Sequence, residues 1–206
     1  MTLSASDLRG VWLPLVTPFR DGALDEASLA RLVRHYAGRV DGFILGATTG
    51  EGMALSARET KRLVEVAADT LAGAAPLVLG VSGAITARVV EAVEAAAALP
   101  VAGYLIASPY YVRPSQEGLR RHFEAIADAT DRAVILYNIA YRTGVNLSNE
   151  TMLALAGRAN IVGVKDCCAD PAQSADLIRR RPEGFAVLTG EDGSYAEALG
   201  QGADGA

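Results

Sequence analysis

Lysine is almost missing from this sequence: Lys61 and Lys165 are the only two among 206 residues, and arginine carries the rest of the basic charge. Lys61 falls among Arg58, Glu59 and Arg62, on what reads as a solvated helix face. Lys165 instead closes the β-branched run Ile161-Val162-Gly163-Val164, which reads as a buried strand. Cysteine is as scarce. Cys167 and Cys168 are adjacent and form no disulfide framework, so a reducing cytoplasm is the expected compartment. The two histidines, His35 and His122, sit inside helical patterns, and no His/Asp/Glu grouping has the spacing of a zinc site. No metal is therefore expected.

Other absences narrow the field further. No apolar run approaches the roughly 20 residues of a membrane span, and a signal-peptide pattern is missing, so no membrane partner is expected. Basic clusters are lacking and the net charge is -5, which argues against nucleic acid. There is no Gly-x-Ser-x-Gly elbow for a hydrolase and no Gly-x-Gly-x-x-Gly turn after the first strand.

What is present is a repeated strand–helix period. Apolar strands are predicted at 10–19, 42–46, 76–81, 102–107, 133–138, 161–166 and 185–189. Helices are predicted at 26–40, from Ser56 to about Leu71, at 86–99, after Ser115, over 148–156, from Asp170-Pro171 and from about Ser194. Ser56-Ala57-Arg58-Glu59 is a capping box, and Ser115 caps a helix with Leu119, Phe123 and Ile126 on one face. Strands that are apolar throughout are buried on both faces, which means parallel strands under helices. Two architectures satisfy this, a (β/α)8 TIM barrel and an open doubly wound sheet. The missing glycine turn, and polar residues following several different strands, favour the barrel. Such a barrel typically takes about 250 residues. The expectation is a single domain over 1–206, truncated within strand eight at Gly202–Ala206 and lacking C-terminal helices. Two unpaired strand edges would result, leaving the isolated chain fragile or associated.

Several residues have the chemistry for a site. A lysine where a buried strand emerges can hold a depressed pKa and act as a nucleophile, although a lysine snorkelling to water would look the same. Thr48-Thr49-Gly50-Glu51 follows a buried strand with hydroxyl and N–H donors suited to a small carboxylate, or is a plain turn. Tyr137 ends a strand and could shuttle protons, or be a core tyrosine. Arg142 could hold a carboxylate by its planar fork. Tyr110-Tyr111, between two prolines, suits a subunit interface, a pocket rim or simple loop packing.

Taken together, Thr48-Thr49-Gly50-Glu51, Ser108-Pro109-Tyr110-Tyr111, Tyr137-Asn138 with Arg142-Thr143-Gly144, and Val162-Gly163-Val164-Lys165-Asp166 resemble the dihydrodipicolinate synthase and N-acetylneuraminate lyase family. The match runs from Gly10 to the last residue in the family's order. The resemblance implies a (β/α)8 barrel that forms a Schiff base between a lysine and pyruvate, with no cofactor beyond that covalent imine. It implies Lys165 as the imine lysine, Tyr137 as proton donor and acceptor, and Thr48 as a relay. Thr49 would hold the pyruvate carboxylate, with Gly190 lining that pocket. Tyr111 would reach into a neighbouring subunit's site, in a homo-oligomeric dimer or tetramer. Arg142 would meet the second substrate's carboxylate, as in the synthase branch.

The departures from the family pattern are Ala47 for a glycine, Ala140 for a proline, Gly52 for a serine and Val112 for an asparagine. Ala84 and Arg88 stand where lysine-inhibited members place Asn and Glu, which implies no inhibition by lysine. The expected activity is condensation of pyruvate with aspartate semialdehyde, as in 4-hydroxy-tetrahydrodipicolinate synthases, a step of lysine biosynthesis. The alternatives are an aldolase or dehydratase acting on a sugar-acid-derived 2-oxo acid, and a non-catalytic remnant.

Overall fold

The computed structural model describes residues 3–168 and 170–206. After a single 3-10 turn at Ala5–Asp7 comes β1 (Trp12–Pro14). A small antiparallel hairpin follows, β2 (Phe19–Arg20) and β3 (Ala23–Leu24), and then α1 (Glu26–Tyr36). The strand–helix period then runs β4 (Gly42–Leu45), α2 (Ala57–Leu71), β5 (Leu77–Gly80) and α3 (Thr86–Ala95). It continues with β6 (Gly103–Ala107), α4 (Gln116–Asp128) and β7 (Ala133–Asn138). A one-turn helix α5 (Ala140–Thr143) and α6 (Asn149–Leu155) lead to β8 (Ile161–Asp166). The chain closes with α7 (Pro171–Arg180), β9 (Ala186–Thr189) and α8 (Tyr195–Gly200).

Seven strands form one curled parallel sheet in the order β1-β4-β5-β6-β7-β8-β9, so each crossover lays its helices on the outer face. Alternation within the strands then sorts the side chains, with one slip near the start of β8, where the pairing jumps from Val134–Ile161 to Ile135–Gly163. Phe43, Leu45, Leu79, Tyr104, Ile106, Val134, Leu136, Val164 and Val187 join the helices in one core. Ile44, Val78, Leu105, Ile135, Tyr137, Val162, Ala186 and Leu188 form a second core on the inner face. Both faces are dry, which is why β4, β6, β7, β8 and β9 are buried at every position. Trp12 fills the base of the inner core against Gly42, where a Cβ would lie 2.4 Å from the indole ring.

The helix starts lie where their capping residues placed them. Ser56 and Glu59 satisfy each other's backbone N–H groups, at 2.8 and 3.3 Å. Ser115, Ser148 and Asp170 accept from Gly118, Thr151 and Ala172, and Pro171 occupies the first turn of α7.

Three expectations are corrected. The strand expected over 10–19 is only three residues long and gives way to the β2–β3 hairpin. Asp21 and Gly22 turn that hairpin at φ 52° and 77°, the signature of a type I′ turn. Arg142, expected in a loop, belongs to α5, which stops at Gly144 with φ 78°. The edges of β1 and β9 are not left unpaired either. Residues 204–206 lie between them, and Gly205 bridges Gly10 on one side and Leu188 on the other. Asp204 N–H donates to Val187 O at 2.8 Å and Ala206 N–H to Gly10 O at 2.9 Å. Glycine is required there, because a Cβ on Gly205 would stand 2.0 Å from Gly10 O.

Candidate active site

The alternation that faces Val164 toward the helices faces Lys165 inward. Its Cα is in register with Tyr137 on β7 and Leu188 on β9, and Tyr137 is in register with Ala107 on β6. Lys165 is 8 % exposed, at the top of the inner core. Burial lowers its pKa from the ordinary 10.5, with Cys167, Asp192 and Glu191 opposing the shift. Cys167 is no counter-charge near neutrality, since burial pushes its own thiol up to about 12. The amine is thus held toward its neutral, nucleophilic form.

Tyr137 stands alongside, with the Lys165 Nζ 5.3 Å from its ring centroid. Burial raises the phenol's pKa, and Cys167 pushes the same way, while the Thr48 hydroxyl pulls against them. At neutral pH the phenol therefore keeps its proton and can donate it.

Gly190 explains how the lysine fits. It continues the ladder, donating to Asp166 O at 2.8 Å. A Cβ there would meet Cys167 Sγ at 2.2 Å and Lys165 Cε at 2.8 Å. The lysine stem passes through space that only glycine leaves open.

The turn after β4 is built around glycines and fixed to the loop after β1. Thr17 Oγ1 donates to Gly50 O at 2.6 Å, and a Cβ on Gly52 would lie 1.7 Å from Gly46 O. The N–H groups of Thr48, Thr49 and Gly50 have no acceptor among the described residues. They are free to receive an anion.

Thr48, Tyr137 and Arg142 line one cavity of about 930 Å³, together with Tyr110, Tyr111 and Arg113. Arg142 is exposed, its guanidinium 5.4 Å from the Tyr141 ring. Tyr111 is 92 % exposed at the cavity rim, so within one chain its hydroxyl does not join Lys165 and Tyr137 in the inner core. Among the described residues no group of three His, Cys, Asp or Glu side chains is placed to hold a metal.

Two contributions escaped the sequence reading. Asn138 and Asp166, one position past Tyr137 and Lys165, face away from the inner core and bond to each other at 3.0 Å. Asn138 also accepts from Leu147 N–H at 3.0 Å, and Ser174 Oγ donates to Asp166 at 2.6 Å. This network locks the ends of β7 and β8 to the loop before α6 and to α7. Burial raises the pKa of Asp166, and its bonds to Ser174 and Asn138 oppose the rise. The signal was a polar residue directly after each candidate catalytic residue. Cys167 was passed over as well, although a residue two places beyond Lys165 shares its face.

Residues 7–206 match the model of the dihydrodipicolinate synthetase family. The 4-hydroxy-tetrahydrodipicolinate synthase 2 of Clostridium acetobutylicum is 40 % identical over 199 residues, covering 96 % of this chain and 70 % of that protein. The corresponding synthase of Xanthomonas axonopodis pv. citri is 42 % identical over 200 residues, covering 96 % of this chain and 66 % of that one. The chain thus spans about two thirds of the length of these relatives. Among solved structures, the dihydrodipicolinate synthase from Aquifex aeolicus superposes with a TM-score of 0.92 at 32 % identity, over 96 % of this chain and 68 % of that one. The enzyme from Cyanidioschyzon merolae with lysine bound gives 0.92 at 34 %, over 97 % and 69 %.

Proposed function

The chain belongs to the dihydrodipicolinate synthetase family, and we propose that it condenses pyruvate with aspartate semialdehyde through an imine on Lys165, its sheet serving as a (β/α)8 barrel. The observation that carries this reading is the buried Lys165 amine of lowered pKa, in register with Tyr137. The neutral amine adds to C2 of pyruvate. Tyr137 donates a proton as the carbinolamine hydroxyl leaves as water, and the imine remains. Loss of a C3 proton gives the enamine, whose C3 attacks the aldehyde carbon. Thr49 and the free N–H groups of the 48–50 turn hold the pyruvate carboxylate, and Thr48 relays protons to and from Tyr137. Gly190 lines the pocket behind the imine, and Arg142 receives the carboxylate of the aldehyde.

Tyr111, projecting from its own chain, completes the relay in a neighbouring copy. The active form is accordingly a homo-oligomer, at least a dimer. No metal or organic cofactor is needed, because the lysine supplies the covalent site. Two free cysteines suit a cytoplasmic setting, and no helix among the described residues is long and apolar enough to cross a membrane.

Borohydride reduction in the presence of pyruvate, followed by mass spectrometry of the Lys165 peptide, tests the reading. A reduced adduct on Lys165 supports it, and folded chain without an adduct sinks it. Millimolar lysine is expected to leave the rate unchanged. Arg88 is an exposed cation paired with Glu91 at 2.7 Å, and it repels an ammonium rather than binding one. Inhibition measured at that concentration would reject this expectation.

A further inference from the structure

Among the described residues five non-glycine residues have positive φ, and two of them, Tyr111 at 71° and Arg113 at 47°, flank Val112 in the loop after β6. The others lie in turns that the fold itself demands: Asp21 in the β2–β3 hairpin, Ala72 at the end of α2, and Glu51 in the packed 46–52 turn. Nothing in the sheet demands the 111–113 conformation. It is held by α5 instead. Tyr111 N–H donates to Thr143 O at 3.2 Å. The Arg113 stem crosses the helix end, with Cγ and Cδ 3.5 and 3.6 Å from where a Cβ on Gly144 would stand. Strain maintained by surrounding structure is a mark of functional loops.

The result is that Arg113 lines the same cavity as Arg142. Neither forms an ion pair among the described residues, whereas arginines on the outer helices, such as Arg120 and Arg180, each hold two carboxylates. Two guanidinium groups without ion-pair partners among the described residues, lining one cavity in a chain of net charge -5, suit an anion. The pyruvate carboxylate is already provided for by the 48–50 turn, so these arginines serve the other substrate.

We propose that Arg113 is a second guanidinium for the carboxylate of the incoming aldehyde, selecting anionic aldehydes over neutral ones. The proposal rests on the imine reading for its reaction but on Arg113 and Arg142 alone for its anion. It also separates the aspartate semialdehyde reading from the sugar-acid alternative, whose aldehyde fragment is commonly neutral.

The test compares the native chain with Arg113→Gln and Arg113→Lys, using succinate semialdehyde and neutral glyceraldehyde as acceptors for pyruvate. Arg113→Gln is expected to raise KM for succinate semialdehyde roughly tenfold with little change in kcat. KM for glyceraldehyde and borohydride trapping of pyruvate should not move, and Arg113→Lys should recover part of the loss. Because Arg113 is exposed, the native preference should also shrink as salt is raised. An unchanged KM for succinate semialdehyde overturns the proposal. So does an equal loss with both aldehydes, which would make Arg113 a support for the loop. If pyruvate is not trapped even by the native chain, the imine reading fails and an NMR titration with succinate decides the anion receptor. Weaker succinate binding in Arg113→Gln upholds it, and equal binding rejects it.

Discussion

Lys61 on the outer helix layer and Lys165 at the inner strand ends carry one side chain into two different solvents. The Lys61 side chain is 63 % exposed and lies 3.7 Å from Glu65, an arrangement that water and salt weaken to little net energy. Lys165 has lost its water and gained no carboxylate salt bridge among the described residues, so its ammonium is disfavoured. Burial alone does not make a reactive group, however. His122, in the outer layer, is as dry as Lys165 and is pushed down to about 4 by desolvation, yet among the described residues its one hydrogen-bond partner is Thr86 Oγ1 at 2.9 Å and its ring packs on Phe123. What separates Lys165 is burial combined with an inward register and a phenol alongside, that of Tyr137.

Replacing each lysine by methionine breaks the comparison most sharply. Lys165→Met should abolish trapping and cut turnover by roughly a thousandfold or more, while melting no lower than the native chain, because a disfavoured ammonium has been removed. Lys61→Met should leave turnover intact. A stable, fully active Lys165→Met chain would end the catalytic assignment.

Gly190→Ala comes next. Its methyl group must displace Cys167 or the Lys165 stem, so turnover should fall about a hundredfold and stability by about 1–3 kcal/mol. Native-like trapping rates in this variant would show that the lysine stem is free to move.

Acid should then reveal the outer layer's own buried group. His122 binds its proton at about 4 when folded, against 6.5 when unfolded. Between those values the unfolded chain binds more protons, so stability falls as pH drops from 6.5 toward 4, by up to about 3 kcal/mol. Urea titrations at neutral and acid pH should show a smaller acid loss for His122→Gln. An identical loss would place the sensitivity elsewhere.

The smallest effect belongs to the caps. Ser56→Ala removes the capping box of α2 and should cost about 1 kcal/mol in thermal or urea unfolding, without altering trapping. A change in trapping would mean that the helix layer reaches the site more directly than its packing implies.

Elements governed by local rules were legible in the sequence. β7 and β8 fall at 133–138 and 161–166 because unbroken apolar runs can be buried only as central strands, and Ser56, Ser115 and Asp170-Pro171 start helices by satisfying their own N–H groups. The Asp21-Gly22 hairpin had a legible signal too, but its two-residue strands are too short for any periodicity to register. The remaining features depend on residues far apart in the chain. The Asn138–Asp166 bond spans 28 positions, and the placing of Arg113 on the cavity that Arg142 lines needs a backbone conformation that residue type does not announce. Of the candidate site, Tyr137 could be placed from alternation, whereas Lys165 takes its inward face only through the register slip near the start of β8. Tyr111 and Arg142, on segments shaped by tertiary contacts, could only be named.

The stitch of residues 204–206 between β1 and β9 gives the molecule a particular kinetics. Its hydrogen bonds join Gly10 to Asp204 and Ala206, and the Arg181–Asp204 ion pair at 2.8 Å holds the strip against β9. Closing a loop of that span in an unstructured chain costs roughly 5 kcal/mol of chain entropy. Each βα unit can form with its neighbour early, but the seam waits until both ends of the sheet meet. Refolding should therefore end with a slow zippering step at this seam. Until then the first and last strands offer bare edges to any other unfinished copy.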